Sequence, residues 1–461
     1  MEFKIMLGNN DRSSGRLYAV LKRLGYADLV LLEPPEFTQT LDQSILVMNK
    51  GARLLEASTS QEIERRLQAA GMKAKLEVSD KNGEQPASYL RRFLVRIFHL
   101  RVVEIVPCGW AERAFNLARE QREPGRQSGL TTLERRLEKI AVRALYTLGL
   151  DFGEVEISAG DGGSMVIQLV RAVPELEDES TALRFAEAIL EESARLALQS
   201  HEPLRLGMDP EFLLYNRIDS KVIPASRFLE RVGIAGCDAV RSGDRTLYPI
   251  AELRPSPGSE PAELLRNLMG AMHYASRHIH DTSLLWLAGG MPLPGLPLGG
   301  HLHFSGLPLT TELLRTLDNY LALPVALMED ERGKVRRPRY GYLGDHRFQD
   351  HGGFEYRTLP SFLISSLLTK GVVALASLIA EDYAQLPSRP LMREDVHQAF
   401  YLGDKAILRE AYEPLEDEIR SMKGYQRLEK YIHPFLEALR LGRTWDESRD
   451  IRTVWKIERP S

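Results

Sequence analysis

The chain has 461 residues, of which 43% are hydrophobic and 27% are charged. This is an ordinary globular composition, and the length exceeds the roughly 250–300 residues at which a single hydrophobic core stops growing. We therefore expect two domains. The net charge of −4 shows no basic excess, so neither nucleic acid nor an anionic membrane surface is an expected partner.

The two cysteines, Cys108 and Cys237, are far apart in the sequence and match no paired-cysteine metal motif. We expect neither a disulfide framework nor a thiolate zinc site. The first residues lack the pattern of a signal peptide, and no apolar run approaches the ~20 residues of a membrane span. These features predict a cytoplasmic protein.

Short strand and helix patterns alternate through the first 178 residues and predict an α/β domain. A helix is expected over 132–146, and Gly149 is suited to end it. The remaining ranges are strands at 3–7, 29–32 and 45–48, helices at 17–24 and 60–70, a basic strand-like run at 89–106, and strands at 152–158 and 165–171 around a turn at 161–163.

The segment from Ala141 to Leu176 resembles the last part of an ATP-grasp domain, where a helix leads into two strands that end in an acid-x-asparagine metal motif before a proline. In this chain Leu169 and Arg171 occupy those two positions, ahead of Pro174. An apolar residue cannot ligate Mg²⁺, and an arginine repels it. The resemblance implies a degenerate ATP-grasp-like domain that serves as a scaffold, substrate platform or dimer surface.

The rest of the chain, 179–461, predicts an α+β domain with an antiparallel or mixed sheet and a helical C-terminal segment. Ser259 is expected to cap a helix that has Pro261 in its first turn. The other predicted elements are helices at 181–199 and 226–232, strands at 204–217 and 248–254, and apolar helical spacing at 368–379 and 428–439.

Four strand-like stretches of this second domain each carry two polar side chains that are two residues apart. That spacing places both side chains on one face of a strand. The pairs are Asp209 and Glu211, Glu252 and Arg254, His301 and His303, and Glu355 and Arg357. Because burying unpaired charge is costly, we expect this face to hold a charged ligand. Oxygen ligands with histidine suit Mg²⁺ or Mn²⁺ and arginine suits phosphate, so the pattern predicts a metal–nucleotide site.

Each pair also has a simpler interpretation. Asp209 and Glu211 fit a solvated edge strand, and Glu252 with Arg254 fits a surface ion pair. The most specific local pattern is GGHLHFSG, residues 299–306, because its glycines permit close backbone approach and its two imidazoles alternate with an apolar residue.

Residues 336–357 form a glycine-rich loop with several arginines and interspersed aromatic side chains. Such a loop could hold a transferring phosphoryl group, the alternative being a solvated basic connector. Its arginines are Arg336, Arg337, Arg339, Arg347 and Arg357.

Taken in order, DPEFLL, AELRPSP, GGHLHFSG and GGFEYRTLPS resemble the carboxylate-amine ligase superfamily, and within it the phage-type COOH-NH2 ligase (type 2) branch. The resemblance covers about 204–363. It implies the catalytic fold of glutamine synthetase and glutamate-cysteine ligase, a curved antiparallel sheet with helices on its outer face. The implied metal ligands are Glu211, Glu252, His301, Glu355 and Asp209, whose shorter side chain leaves direct or water-mediated ligation open.

The same resemblance implies catalytic roles for Arg357, Arg347 and Arg339. The predicted cofactor contacts are Arg347 and Arg357, together with His303 and Arg254, which the residue patterns themselves suggest. Arg254 could also hold a substrate carboxylate through its planar pair of donors. ATP and Mg²⁺ or Mn²⁺ are the implied cofactors. The implied reaction is ATP-dependent formation of a peptide or isopeptide bond through an acyl phosphate. The substrates would be small-molecule or peptide carboxylates and amines, such as amino acids or cell-wall components.

Two alternatives stay open. One is a metal-dependent hydrolase that uses the acids with His301, His303, His346 and His351, and the other is a non-catalytic binding or scaffold protein. The hydrolase has little need of the arginine-rich loop. The sequence leaves the oligomeric state open, a homo-oligomer included.

Overall fold

The fold is described from a computed structural model of the chain. It describes residues 4–6, 11–24, 45–76, 91–108, 131–160, 163–176, 178–199, 202–242, 245–350 and 352–457. The chain divides into two compact units, Met1–Leu198 and Gln199–Ser461. Within the described residues, no helix is both long and apolar enough to cross a membrane.

The N-terminal unit contains a two-stranded parallel sheet and a four-stranded antiparallel sheet of order β4-β3-β5-β6. Its strands are β1 Lys4–Met6, β2 Ile45–Val47, β3 Arg91–Phe98, β4 Arg101–Cys108, β5 Phe152–Ala159 and β6 Met165–Arg171. Its helices are α1 Asp11–Arg23, α2 Ala52–Ala57, α3 Ser60–Ala69, α4 Thr132–Thr147 and α5 Glu179–Gln199.

Local sequence signals explain where two of these helices begin. Thr59 and Thr131 each accept a hydrogen bond from the backbone three residues on, where Glu62 and Glu134 bond back to the threonine backbone. This reciprocal capping satisfies helix-end N–H groups. The predicted helices at 60–70 and 132–146 are confirmed. The predicted strand at 29–32 lies outside the described residues.

The basic run predicted as one strand at 89–106 is a hairpin of β3 and β4. His99 and Leu100 make the turn with positive φ values of 44° and 69°. Most residues other than glycine avoid this conformation, and no glycine or proline marks the turn in the sequence. The hairpin was therefore not visible in the residue pattern.

One face of the four-stranded sheet buries charge in matched pairs. Arg96 lies opposite Glu104 and Glu154, and Arg171 lies opposite Glu154 on the next strand. Arg96 Nε is 3.3 Å and Arg171 Nη1 is 2.6 Å from the Glu154 carboxylate, which is fully buried. Two guanidinium groups therefore neutralise this acid from within the unit.

The boundary between the two units falls at Leu198. The sequence predicted it at residue 178, within the acidic stretch that precedes α5. The apolar face of α5 explains the difference, because it belongs to the N-terminal core. Ala182, Phe185 and Ile189 pack there with Leu21 of α1.

The C-terminal unit is built on a curled, half-barrel antiparallel sheet of eight strands, which confirms the predicted antiparallel sheet. Its main order is β13-β14-β12-β7-β10-β9, and β8 and β11 pair with β7. The strands are β7 Arg205–Asn216, β8 Lys221–Ile223, β9 Ala235–Ser242, β10 Arg245–Leu253, β11 Leu284–Leu287, β12 Gly300–Ser305, β13 His346–Phe348 and β14 Phe354–Tyr356. The long β7 is central, since four other strands pair with it.

Helices make up most of the remaining C-terminal unit. They are α6 Pro261–His278, α7 Thr311–Leu317, α8 Leu323–Met328, α9 Ser366–Asp382, α10 Glu394–Leu402, α11 Lys405–Ser421, α12 Tyr425–Arg440 and α13 Ile451–Trp455. α9 packs against α12, where Gly371 comes so close to Phe435 that a Cβ atom would lie 2.4 Å from that side chain. The apolar spacing at 368–379 and 428–439 is accounted for by this contact.

Two local predictions are corrected. The helix expected at 226–232 is only a 3₁₀ turn, Ala225–Arg227, and the carbonyl oxygen of Glu230 accepts a hydrogen bond from Cys237 N in β9 at 2.9 Å instead of from a helical partner. The N-cap of α6 is Glu260 rather than Ser259, while Pro261 takes the first helical position as expected.

Glu447 ties the C-terminal segment to the loop that leads into β12. Its buried carboxylate accepts hydrogen bonds from the backbone N–H groups of Gly290 at 2.6 Å and Met291 at 2.8 Å, and from Trp445 Nε1 at 3.2 Å. The Gly290 carbonyl in turn accepts from Leu298 N at 3.0 Å. One carboxylate thus fixes the approach to the His-x-His strand.

We expect Glu447→Ala to lower the free energy of unfolding of the C-terminal unit by about 2–4 kcal/mol, since it leaves several buried donors without an acceptor. Urea unfolding followed by tryptophan fluorescence measures this change. Glu437→Ala is the control, because its carboxylate forms an exposed pair with Arg440. Equal losses in the two variants would contradict the role of Glu447.

Candidate functional site

The predicted acids and histidines lie on one face of the C-terminal sheet. Strand register brings them there, because directly opposed residues of antiparallel strands project to the same side. The opposed pairs are Asp209 with His301, His303 with Glu355, and Glu211 with Glu252. Four separate stretches of sequence therefore meet at one site.

Asp209, His301 and Glu355 form the centre of this site. His301 Nδ1 is 3.0 Å from Asp209 Oδ1 and 3.0 Å from Glu355 Oε1. His303 Nε2 lies 3.0 Å from the other Asp209 oxygen. One ligand atom from each of the three central residues lies within 4.8 Å of the other two, a spacing that could hold a metal ion.

Several polar atoms of this centre are buried without a satisfied hydrogen bond. They are Asp209 Oδ1, His301 Nδ1 and His303 Nε2. Their separations are short, but their directions are not those of hydrogen bonds. Buried polar atoms are normally paired, and oxygen ligands with an imidazole suit a divalent cation such as Mg²⁺ or Mn²⁺. The residues present therefore fit a metal ion.

The electrostatics of the centre favour positive charge. Burial alone would lower the pKa of His301, but Asp209 and Glu355 outweigh it and raise that pKa to about 10. Burial also raises the pKa of Asp209, and the two imidazoles outweigh this effect and hold it below its ordinary value. A proton on His301 and a metal ion therefore compete for the same lone pair.

Glu211 and Glu252 face each other beside this centre. Burial raises the pKa of Glu211 to about 7, although the Gly299 N–H donates to its carboxylate at 2.7 Å. Burial and the charge of Asp209 raise the pKa of Glu252 to about 9, against the effect of Arg254. Two carboxylates this close are costly to ionise together without a cation.

The glycines before His301 allow close packing around the imidazole. A Cβ atom on Gly299 would lie 2.3 Å from His301 Nε2, and one on Gly300 would lie 2.5 Å from the carbonyl oxygen of Pro360. The sequence suggested that these glycines admit a ligand. In the structure they admit the ring of His301 and a neighbouring backbone segment.

Arg254 is held in place beside Glu252. Its guanidinium pairs with the Glu252 carboxylate and donates to the Arg231 carbonyl oxygen at 3.1 Å. The guanidinium group of Arg254 packs directly over Gly236, where a Cβ atom would lie 2.1 Å from Arg254 Nη1. The side chain is still one-third exposed, so part of its donor set faces solvent.

A family model for phage phiEco32-like COOH.NH2 ligase-type 2 proteins matches residues 206–457, more than half of the chain. The chain belongs to this family. The matched residues contain every side chain of the site described above.

Solved structures resemble the chain only distantly. A bifunctional glutathione synthetase from Pasteurella multocida is 12% identical, with 58% of this chain and 52% of that chain covered and a TM-score of 0.34. The chain thus spans about half the length of that protein. The ATP-grasp ligase PsnB, in complex with a minimal precursor, Mg and ADP, is 12% identical, with 42% of this chain and 97% of that chain covered and a TM-score of 0.25.

The macrocyclase MdnB from Microcystis aeruginosa MRC is 10% identical, with 41% of this chain and 98% of that chain covered and a TM-score of 0.26. At TM-scores this low, these likenesses carry no argument about the chain. No curated protein matches the chain.

Two of the predicted arginines border the central cluster of Asp209, His301 and Glu355. Arg347 Nη1 lies 3.4 Å from Glu355 Oε2, and Arg357 Nη1 lies 3.5 Å from Glu355 Oε1. The Arg347 side chain is 61% exposed and that of Arg357 is 24% exposed. Both guanidinium groups therefore keep donors directed away from the protein.

The segment predicted as a loop at 336–357 contains β13 and β14, and its other arginines do not border the central cluster. Arg339 is exposed, with its guanidinium 5.4 Å from the Tyr340 ring centre, and the structure gives it no contact with the cluster. Arg336 is buried and donates at 2.9 Å to the carbonyl oxygens of Thr358 and Leu359. Arg337 pairs with buried Glu329 at 2.7 Å. Arg336 and Arg337 thus support the loop.

The N-terminal unit provides no comparable cluster among its described residues. Asp209, His301 and Glu355 are the one group of three acids or histidines with metal-binding spacing in the part of the chain that the structure describes. At the position where the ATP-grasp motif would have its asparagine, Arg171 pairs with Glu154.

Three residues at the site were not selected from the sequence. Gln349 donates to Glu355 Oε2 at 3.2 Å. Asp238 lies on the same face as Glu252, and its charge contributes to raising the pKa values of Glu211 and Glu252. The Ser361 hydroxyl donates to the Glu211 carbonyl oxygen. Asp238 is an acid between apolar neighbours in the strand-like stretch of β9, and this pattern could have marked it as a candidate. Gln349 and Ser361 lie in no pattern that would have marked them.

The two histidines of β12 should differ in metal binding, because only His301 lies between two carboxylates. We expect His301→Ala to weaken Mn²⁺ binding by more than about 100-fold, and His303→Ala by about 10-fold through its contact with Asp209. Isothermal titration calorimetry of both variants measures the difference. Equal losses would show that the centre is not arranged as the distances indicate.

Proposed function

We propose that the protein is an ATP-dependent ligase that joins a substrate carboxylate to an amine through an acyl phosphate, to give a peptide or isopeptide bond. The observation that carries this proposal is the cluster of Asp209, His301 and Glu355 with Arg347 and Arg357 at its border. Carboxylates for a cation and guanidinium groups for phosphate are the two elements that phosphoryl transfer requires.

The metal we propose is Mg²⁺ or Mn²⁺. Asp209, His301 and Glu355 would hold it, and Glu211 and Glu252 provide further oxygen ligands beside them. When bound, the metal would reduce the negative charge of the ATP phosphates. The unsatisfied buried atoms of Asp209 and His301 support this assignment.

The arginines act on the anionic groups. Arg357 and Arg347 would donate to the transferring phosphoryl group, where added positive charge stabilises the transition state. Arg254 would bind the substrate carboxylate with the donors that Glu252 and Arg231 leave free. His303, one-third exposed, would contact a nucleotide phosphate.

Arg339 stays a predicted catalytic residue. Its guanidinium would have to leave the Tyr340 ring to reach phosphate.

The reaction needs no protein nucleophile. A substrate carboxylate oxygen would attack the γ-phosphorus of ATP, and the bond to ADP would break. The amine nitrogen would then attack the acyl carbon, phosphate would leave, and the nitrogen would lose a proton. The role of the ligase is to hold the reactants and balance charge.

The proposal also covers features beyond the class of reaction. We propose that the curled sheet follows the arrangement of glutamine synthetase, with helices on its outer face. Amino acids, peptides or cell-wall components are the proposed substrates, and the N-terminal unit is proposed as a degenerate ATP-grasp-like scaffold. A cytoplasmic location suits an enzyme that uses ATP and carries two free cysteines.

Membership of a ligase family disfavours the hydrolase and scaffold alternatives. Of the histidines that the hydrolase would use, His346 bonds to the Gly344 carbonyl oxygen at 2.9 Å, and His351 lies outside the described residues.

Arg357→Lys tests the proposed phosphate contact. Lysine keeps the charge but loses the planar pair of donors, so we expect kcat to fall by about 10²–10³-fold while KM for ATP changes by less than about threefold. Steady-state assays of ADP release measure both constants. Arg443→Lys, an exposed position outside the site, is the control. A change in KM alone would argue against the phosphate role.

A mass-spectrometric screen tests the reaction itself. The full chain, ATP and Mg²⁺ are incubated with pooled amino acids and cell-wall peptides, and a product lighter than its two substrates by one water is expected with ADP. Hydroxylamine should divert the acyl phosphate to a hydroxamate. Glu355→Gln should abolish all three signals with little change in folding. Hydrolysis of a supplied peptide without release of ADP would support the hydrolase instead.

A further inference from the structure

Glu355 directs its two oxygens toward different neighbours. Oε1 lies 3.0 Å from His301 Nδ1 and 3.5 Å from Arg357 Nη1. Oε2 accepts a hydrogen bond from Gln349 Nε2 at 3.2 Å and lies 3.4 Å from Arg347 Nη1. The first oxygen therefore faces the central cluster, and the second faces the hairpin of β13 and β14.

Two backbone hydrogen bonds hold Gln349 at the end of β13. It follows β13 directly, and its backbone N–H donates to the Gly353 carbonyl oxygen at 2.9 Å. Its own carbonyl oxygen accepts from Gly352 N at 3.0 Å, and Gly352 has a φ of 90° that favours glycine. The backbone on both sides of the side chain is thus fixed by the hairpin.

The other donor to the same oxygen is less constraining. The Arg347 side chain is largely exposed and its closest contact with Oε2 is longer than that of Gln349. An amide also differs from a guanidinium in charge. Gln349 can orient the carboxylate without adding a positive charge that would compete with a metal ion.

We propose that Gln349 is a positioning residue that holds Glu355 Oε2, so that Oε1 is directed at the space between Asp209 and His301. The inference rests on the proposed metal function of that cluster. Hydrogen bonds of this kind from outside the ligand set orient the ligands and raise metal affinity. Gln349 would therefore act on the metal site without touching the metal.

Two substitutions separate the hydrogen bond from packing. Gln349→Met keeps the length of the side chain and removes the donor, whereas Gln349→Ala removes both. We expect both variants to bind Mn²⁺ about 10–100-fold more weakly than the unmodified chain, measured by isothermal titration calorimetry without ATP. Thermal unfolding should be unchanged, because the side chain is half-buried at a hairpin turn.

Gln398 provides a matched control. Its Nε2 donates to Glu394 Oε1 at 2.7 Å within α10, and the side chain is also half-buried. Gln398→Met removes the same kind of bond at a position outside the candidate site. Its Mn²⁺ affinity should equal that of the unmodified chain.

The outcomes distinguish this inference from the proposed function. If Gln349→Met binds Mn²⁺ as tightly as the unmodified chain, the positioning role is wrong while the metal site stands. If only Gln349→Ala is weakened, packing accounts for the effect and the inference is also overturned. An unmodified chain that binds no Mn²⁺ would overturn both proposals. A positioning role further predicts that excess Mg²⁺ restores the kcat of Gln349→Met, since every ligand is still present.

Discussion

The burial of several carboxylates on one face of a sheet is the constraint on which this structure depends. Glu211 and Glu252 oppose each other across β7 and β10, and Asp209 and Glu355 approach the same imidazole. Ionised acids in a buried site repel one another and lose solvation, so their position costs free energy unless positive charge is supplied. A proton on His301 supplies part of that charge, and a divalent cation would supply more.

The surrounding backbone keeps these acids from relaxing away. Glu211 is held through Gly299, which bonds to both its backbone and its carboxylate, and through Ser361 on its carbonyl oxygen. Glu447 fixes the loop that carries Gly290 toward the same strand. These contacts come from distant parts of the chain. Hydrogen bonds to backbone groups therefore hold Glu211 and the approach to β12 in place, in addition to the contacts among the side chains of the site.

Period-two spacing was sufficient to predict which side chains share a face. Asp209, Glu252, His301 and Glu355 could be grouped from sequence because each lies in a strand-like stretch with a polar partner two residues away. Register and strand order could not be derived, since they depend on pairings between separate strands. The sequence thus indicated candidate residues, but not that Asp209, His301 and Glu355 form one group while Glu211 and Glu252 lie beside it. Arg336 and Arg357 illustrate the same limit. Both lie in the segment predicted as one arginine-rich loop, which the structure forms partly into β13 and β14, and only tertiary contacts bring Arg336 to carbonyl oxygens and Arg357 to the acid cluster.

The two units show two ways to bury an acid, and the difference indicates where ligand binding belongs. In the N-terminal unit Glu154 is fully buried between Arg96 and Arg171, so its charge is balanced by the protein itself. In the C-terminal unit Arg254 pairs with Glu252, but Asp209 and His301 retain buried atoms without satisfied hydrogen bonds. A buried acid with internal counter-charges stabilises a fold without a ligand, whereas unsatisfied ligand atoms favour a bound cation. The same type of residue is therefore structural in one unit and a candidate for function in the other, and the partners decide which.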